Sequence, residues 1–240
     1  MRRDHRPFAV KRLYRRLELG YADWFIRPQL EAMGAHCILM KPWNIRLHGP
    51  HIYFGEQIHV VTTSDRKVQL CVWEHQAGSG RIDIGDYALI CPGVRIDSAT
   101  HIEIGANSMI AAGAYLTDAD WHDIYDRSQP IGATAKVTLE ENVWVGDGAT
   151  VCKGVTVGRN SIIGAGALVA SDVPENVIVA GNPAKIIKSL DPDREIKTRH
   201  ALLQDAEALE LEMIRVERYM LHHNTLFGWL KSLIKPGAND

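Results

Sequence analysis

The sequence predicts a mostly β protein: a triangular parallel β-helix with α-helical segments before and after it. Three observations carry that expectation. An aliphatic residue recurs every six positions, at Ile84, Ile90, Ile96, then Ile104, Ile110, Leu116, then Leu139, Val145, Val151, Val157, Ile163 and Val169. In those twelve hexads the next residue is Gly, Ala, Asp or Glu nine times, and the fifth is Ser, Thr, Ala or Val eleven times. Both ends instead carry apolar residues at helical spacing: Leu13, Leu17, Tyr21 and Trp24 before the repeat, and Leu202, Leu203, Ala206, Leu209, Met213, Val216 and Met220 after it.

A period of six is too long for a helix turn and does not fit simple two-sided strand alternation. It fits a short strand, a turn that admits small residues, and a second short strand. Three hexads close one triangular coil, and successive coils stack at the roughly 4.8 Å spacing of neighbouring strands. The first-place aliphatics then form columns inside the prism, and the small fifth-place residues fill its corners.

Residues 1–44 read as an N-terminal helical segment, 45–190 as the solenoid and 191–240 as a C-terminal helical extension. Phe54-Gly55, Ile58 and Val60 look like a weaker early coil, and Asp65 to Gly80 is irregular. Ile102 and Glu103 add two positions between hexads, a corner bulge. A much larger insertion, residues 122–138, parts Leu116 from Leu139. Long excursions from compact folds tend to be functional. The C-terminal apolar stripe reads as a packing face, on the solenoid or on a partner subunit.

Composition narrows the function. Lys and Arg total 27 against 29 for Asp and Glu, a net charge of -2, which argues against nucleic-acid binding. No apolar run reaches the roughly 18 residues of a membrane span. The basic start has no apolar segment of a secretory signal behind it, and four scattered cysteines with no CxxC pair suit a reduced, cytoplasmic setting. Membrane contact is not expected except through LFGWLKSLIK (Leu226 to Lys235), where basic and aromatic residues flank apolar ones and could meet a membrane or a hydrophobic partner.

Chemistry concentrates at the insertion, which reads AYLTDADWHDIYDR. Asp120 is the single fifth-place exception to the small-residue rule, and an inward carboxylate is costly unless paired. His122 follows two positions later. A carboxylate beside a histidine orients the imidazole and stabilises its charged form. Asp118 and Asp123 are competing orienters, and the residues alone do not choose among the three.

At this point the chain resembles the hexapeptide-repeat acyltransferases, most closely the galactoside, maltose and other sugar O-acetyltransferases. The resemblance runs from about Ile82 to Lys188. It rests on the histidine-bearing insertion, on LEENVWVGDGATVCKGVTVGRNSIIGAGALVASDVP and on the closing AGNPAKIIK. It implies a left-handed coil and a homotrimer with acetyl-CoA lying between neighbouring prisms. It further implies His122 as general base with Asp120 beside it, and Trp144, Gly146 and Asp147 near the pantetheine arm. Gly164 and Ala165 would meet the pantetheine amides, and Lys185 and Lys188 the CoA phosphates. Asp147 departs from the family, where Ser or Gly is common; a carboxylate would repel an oxyanion, so stabilisation there falls to the backbone N–H. The acceptor asparagine of the sugar acetyltransferases has no match, which leaves the galactoside-type acceptor open.

An alcohol is a poor nucleophile toward a thioester, and a positioned imidazole accepts its proton near neutral pH. The expected reaction is therefore direct transfer of acetyl to a sugar or glycan hydroxyl in a ternary complex. The alternatives are N-acylation of an amino sugar or other amine, and a non-catalytic trimeric scaffold. No metal is expected. A catalytic zinc takes three protein ligands, whereas His101 and His122 stand 21 positions apart with no third histidine suitably near.

Overall fold

The computed structural model describes residues 3–73 and 80–235. The repeat forms a prism of three sheets, with six strands on the first face, eight on the second and six on the third, all parallel but for the last strand of the second. Each first-place aliphatic pairs with the one a coil away. Ile84, Ile104, Leu139 and Val157 form the column of the first face. Ile90, Ile110, Val145 and Ile163 form that of the second, and Ile96, Leu116, Val151 and Val169 that of the third. All twelve are buried. Each contributes about 2 kcal/mol through the apolar area it removes from water.

The corners show why a short period closes. Tyr87, Asn107, Asn142, Asn160 and Asn176 have positive φ and turn the chain between the first and second faces. Asparagine tolerates that conformation, and here its side chain also bridges coils, Asn142 to Asn160 at 3.0 Å and Asn160 to Asn176 at 2.8 Å. Between the second and third faces Gly93, Gly113, Gly148 and Gly166 do the same work with no side chain.

The solenoid is longer than its hexads announce. Strands Ala32–Met33 and Ile38–Met40 already pair with Ile52–Phe54 and His59–Val61, so the first coil begins inside the segment expected to be helical. Among the described residues, only α1 (Phe8–Tyr21), continued by a π turn at Ala22–Ile26 and a 3-10 turn at Arg27–Gln29, precedes it. Within the irregular stretch, Val68–Val72 is a regular strand of the third face, while residues 74–79 lie outside the described residues. The insertion runs from 118 to 136, because Val137–Leu139 is already the next strand of the first face.

Inward-facing residues of α1 cap the open end of the prism. Glu18 accepts the N–H of Lys41 at 2.8 Å, and Tyr14 and Tyr21 meet the Trp43 ring edge-on at 5.5 and 6.0 Å. At the other end Val177–Ala180 and Lys185–Ser189 form an antiparallel hairpin. The chain then returns along the prism. Arg199 donates to the Tyr87 carbonyl at 2.7 Å, and the His200 N–H to Asn107 Oδ1 at 2.7 Å. Beyond α2 (His200–Leu203), helices α3 (Ala206–Met220) and α4 (Leu226–Ile234) lie beside the N-terminus. Asn224 donates to the carbonyls of Asp4 and Arg6, and Lys11 pairs with Glu217 at 2.9 Å. The expected packing face is only partly used: Leu203 is buried, but Leu202, Met213, Val216 and Met220 stay exposed and do not pack on the solenoid.

This return strap carries an acid-sensitive contact. Burial first, then the nearby Arg199 and Arg15 charges, pull the His59 imidazole down to about 4. Between pH 6.5 and 4 the unfolded chain therefore binds a proton that the folded chain refuses, and stability falls as pH drops through that window. The expected loss is about 2 kcal/mol after discounting for partial exposure. Urea denaturation at pH 7 and pH 4 measures it, and His59→Gln should shrink the difference between the two curves.

Candidate functional site

The insertion leaves the prism at the corner between the third and first faces. Its stem is a short antiparallel ladder. Asp120 N–H donates to the Ala133 carbonyl, Gly132 N–H to that of Asp120, and Ala135 N–H to that of Asp118. Gly132 is required there, since a Cβ would stand 2.6 Å from the His122 carbonyl oxygen. His122 is exposed at the top of this stem, and its ring makes no hydrogen bond among the described residues.

The three candidate orienters separate clearly. Asp120 does not point into the core; it is part-exposed and pairs with Lys153 at 2.8 Å, tying the stem to the next coil. The buried carboxylate is Asp118. It accepts the Ser98 hydroxyl at 2.7 Å, the Ala99 N–H at 2.7 Å and the Thr100 N–H at 3.0 Å. The frame slips because Ile102 and Glu103 lengthen this corner one coil earlier, so the inward place moves two residues back. Asp123 caps the loop's own turn by accepting the N–H groups of Tyr125 and Asp126. Within one chain none of the three is hydrogen-bonded to His122.

The residues expected to meet the acyl donor lie elsewhere on the prism. Trp144 stands on the second face, 45% exposed. It stands in an outward column that comes from Met109 and continues through Ile162 and Ile178 to Lys188. Three strand spacings put about 14 Å between Trp144 and Lys188. Lys185 and Lys188 are exposed and have no carboxylate partner among the described residues. Asp147 and Ala165 sit at the corner between the second and third faces. Among the described residues their N–H groups have no partner.

Gly146 and Gly164 do not offer such groups. Their N–H groups already bond to the Ile163 and Val179 carbonyls. They are glycines for close packing: a Cβ on Gly146 would stand 2.5 Å from the Ile163 oxygen, and one on Gly164 2.9 Å from the Ala180 Cβ. In place of Gly164, Ala165 carries the free donor.

His122 and Trp144 are therefore not brought together within one chain. One occupies a corner of the triangle and the other the face opposite it. A depression of about 400 Å³ lined by Glu140, Gly158, Asp172 and Glu175 includes neither.

Around the loop base the third face carries aromatic groups that the repeat pattern did not mark. His48 and Trp73 meet at a tilt of 43° with ring centres 4.6 Å apart, and Trp73 meets Trp121 at 6.4 Å. The Trp121 indole N–H donates to the Tyr115 hydroxyl and to Thr117 Oγ1, both at 3.1 Å. The Arg95 guanidinium lies over the Tyr115 ring and pairs with the buried Asp97. No periodicity signals Trp73, which lies in the irregular stretch.

Cysteine chemistry is disfavoured. Burial raises all four thiols, Cys71 to about 11 with help from Asp97. None is a thiolate at neutral pH. No group of three or more His, Cys, Asp or Glu able to hold a metal occurs among the described residues.

Fold and site together define a hexapeptide-repeat solenoid with a histidine-bearing loop at one corner. The family model "Bacterial transferase hexapeptide (six repeats)" matches residues 136–171. The galactoside O-acetyltransferase of Lactococcus lactis is 28% identical over 72% of this chain and 69% of its own length. That of Escherichia coli is 35% identical over 39% of this chain and 46% of its own length. Among solved structures, the N-acyltransferase AntD of Bacillus cereus, in complex with dTDP-4-amino-4,6-dideoxyglucose and coenzyme A, superposes with a TM-score of 0.58 at 18% identity. That superposition covers 79% of this chain and 95% of AntD. The chain thus carries the hexapeptide repeat of that family model over residues 136–171, is similar in sequence to these O-acetyltransferases, and shares with AntD the fold of a left-handed parallel β-helix.

Proposed function

We propose that the protein is an acetyl-CoA-dependent O-acetyltransferase that works as a homotrimer and acetylates a hydroxyl of a sugar or glycan, drawing on cytoplasmic acetyl-CoA. The observation that supports this reading is the separation of the two half-sites. The base stands at one corner and the donor surface on the opposite face, so threefold packing sets His122 of one chain against the donor surface of the next. Trp144 would flank the pantetheine arm, and Lys185 and Lys188 the anionic end of the donor.

In the reaction a His122 ring nitrogen takes the proton of the acceptor hydroxyl while that oxygen bonds to the thioester carbonyl carbon. The free N–H at Asp147 offsets the charge that develops on the carbonyl oxygen. The carbon–sulfur bond then breaks, and the imidazolium returns its proton to the departing thiolate. Holding both partners in one cleft supplies much of the remaining rate. The Trp73–Trp121 platform beside the loop offers aromatic surface for the apolar face of a pyranose.

The test is thiol release from acetyl-CoA against a panel of sugars, nucleotide sugars and amines, with the product mapped by mass spectrometry. Acetyl on a sugar oxygen is expected. Acetyl only on amines, or no acceptor-dependent release, contradicts the reading.

A further inference from the structure

Helices α1 and α4 each expose an apolar face that the fold leaves uncovered. On α1, Leu13 (58% exposed) and Leu17 lie one turn apart, and Trp24 (78%) is exposed on the π turn that continues the helix. The fold does not need that face, because α1 is fixed through the neighbouring side of the helix by Glu18, Tyr14 and Tyr21. On α4, Phe227 (79%), Leu230 and Ile234 (85%) are exposed while Ser232 faces inward. The bonds from Asn224 to Asp4 and Arg6 hold the start of α4 against the segment that leads into α1, so both faces lie at one end of the molecule.

The charges around these faces are basic. Arg12, Arg15 and Arg16 on α1 make no ion pair among the described residues, nor do Lys231 and Lys235 at α4. Helix α3 differs, since Glu207, Glu210 and Glu212 lie exposed along it. A second copy facing α1 across a twofold axis would bring like charges together. Unpaired cations beside exposed Leu, Trp and Phe fit one surface well, an anionic bilayer, where apolar side chains enter the acyl boundary and Lys and Arg meet the headgroups.

We propose that α1 and α4 together form a docking platform that lays this end of the prism on an anionic lipid surface. The platform draws on no feature of the catalytic reading and stands or falls separately from it.

Cosedimentation of the full-length protein with vesicles tests it. One set is an equimolar mixture of phosphatidylglycerol and phosphatidylethanolamine; the other is phosphatidylcholine alone. Binding to the anionic set is expected to exceed binding to the neutral set by at least about tenfold and to weaken with salt. Leu13→Glu with Phe227→Glu should lower anionic binding by at least about tenfold, with oligomer mass and melting temperature unchanged. Arg12→Gln with Arg16→Gln, which leaves the apolar residues in place, should lower it several-fold. Three results overturn the proposal: no vesicle binding by the unmodified protein, undiminished binding by both variants, or loss of oligomer mass in either, which would assign the face to a contact between copies.

Discussion

Replacing His122 with alanine is expected to lower acetyl transfer by about 10²–10⁴-fold, the share a positioned general base contributes. The loss should be confined to catalysis. The ring is exposed and makes no hydrogen bond among the described residues, so its removal strands no buried partner. Melting temperature and oligomer mass should match those of the unmodified protein, and calorimetry should show coenzyme A still bound. A His122→Ala protein with full activity would remove the base from the mechanism. One that no longer binds coenzyme A would assign the residue to donor binding instead.

Asp118→Ala should give the second large effect, this time in the fold. The carboxylate is fully buried, and its removal leaves the Ala99 and Thr100 N–H groups without an acceptor, while the Ser98 hydroxyl keeps the Arg81 carbonyl. The expected cost is about 3 kcal/mol or more. At roughly 2–4 °C per kcal/mol for a chain of this size, that lowers the melting temperature by about 10 °C. Activity should fall with it, because the same residue's carbonyl accepts from Ala135 in the loop stem below His122. Asp120→Ala removes only a part-exposed pair with Lys153 and should cost less than about 1 kcal/mol. Equal melting temperatures for the two variants would contradict the assignment of the buried role to Asp118.

These two aspartates show where sequence reading of the site stops. The hexad frame is legible because each first-place aliphatic must enter a core with no room for error, and all twelve do so. The same frame marks Asp120 as exceptional, yet it assumes that every corner has one length. The two-residue bulge before Ile104 breaks that assumption, and the inward position passes to Asp118. The early coils were legible only at Phe54, Ile58 and Val60, for a related reason. Positive-φ turns at His36, Lys41 and Gly49 vary their corners, so Leu39, Leu47 and Val60 share no single period although they stand in the same columns as Ile90 and Ile96.

The residues expected at the donor surface were legible as types and less so as roles. Gly146 and Gly164 read as ligand-facing positions, but both backbone N–H groups are spent on coil stacking. The free donors belong to Asp147 and Ala165, one residue further on. Only the folded prism reveals that His122 and Trp144 stand on opposite sides of the triangle, since that depends on which face each hexad occupies.

The central claim is that each site is completed by two copies of the chain, and mixing inactive chains tests it most directly. One chain carries His122→Ala. The other carries Trp144→Ala with Lys188→Glu and keeps its base. Each should be inactive alone. Co-assembled in equal amounts, they should recover about a quarter of the unmodified activity, because a site needs its base from one chain type and its donor surface from the other. If both halves of a site came from one chain, the mixture would stay as inactive as its parts.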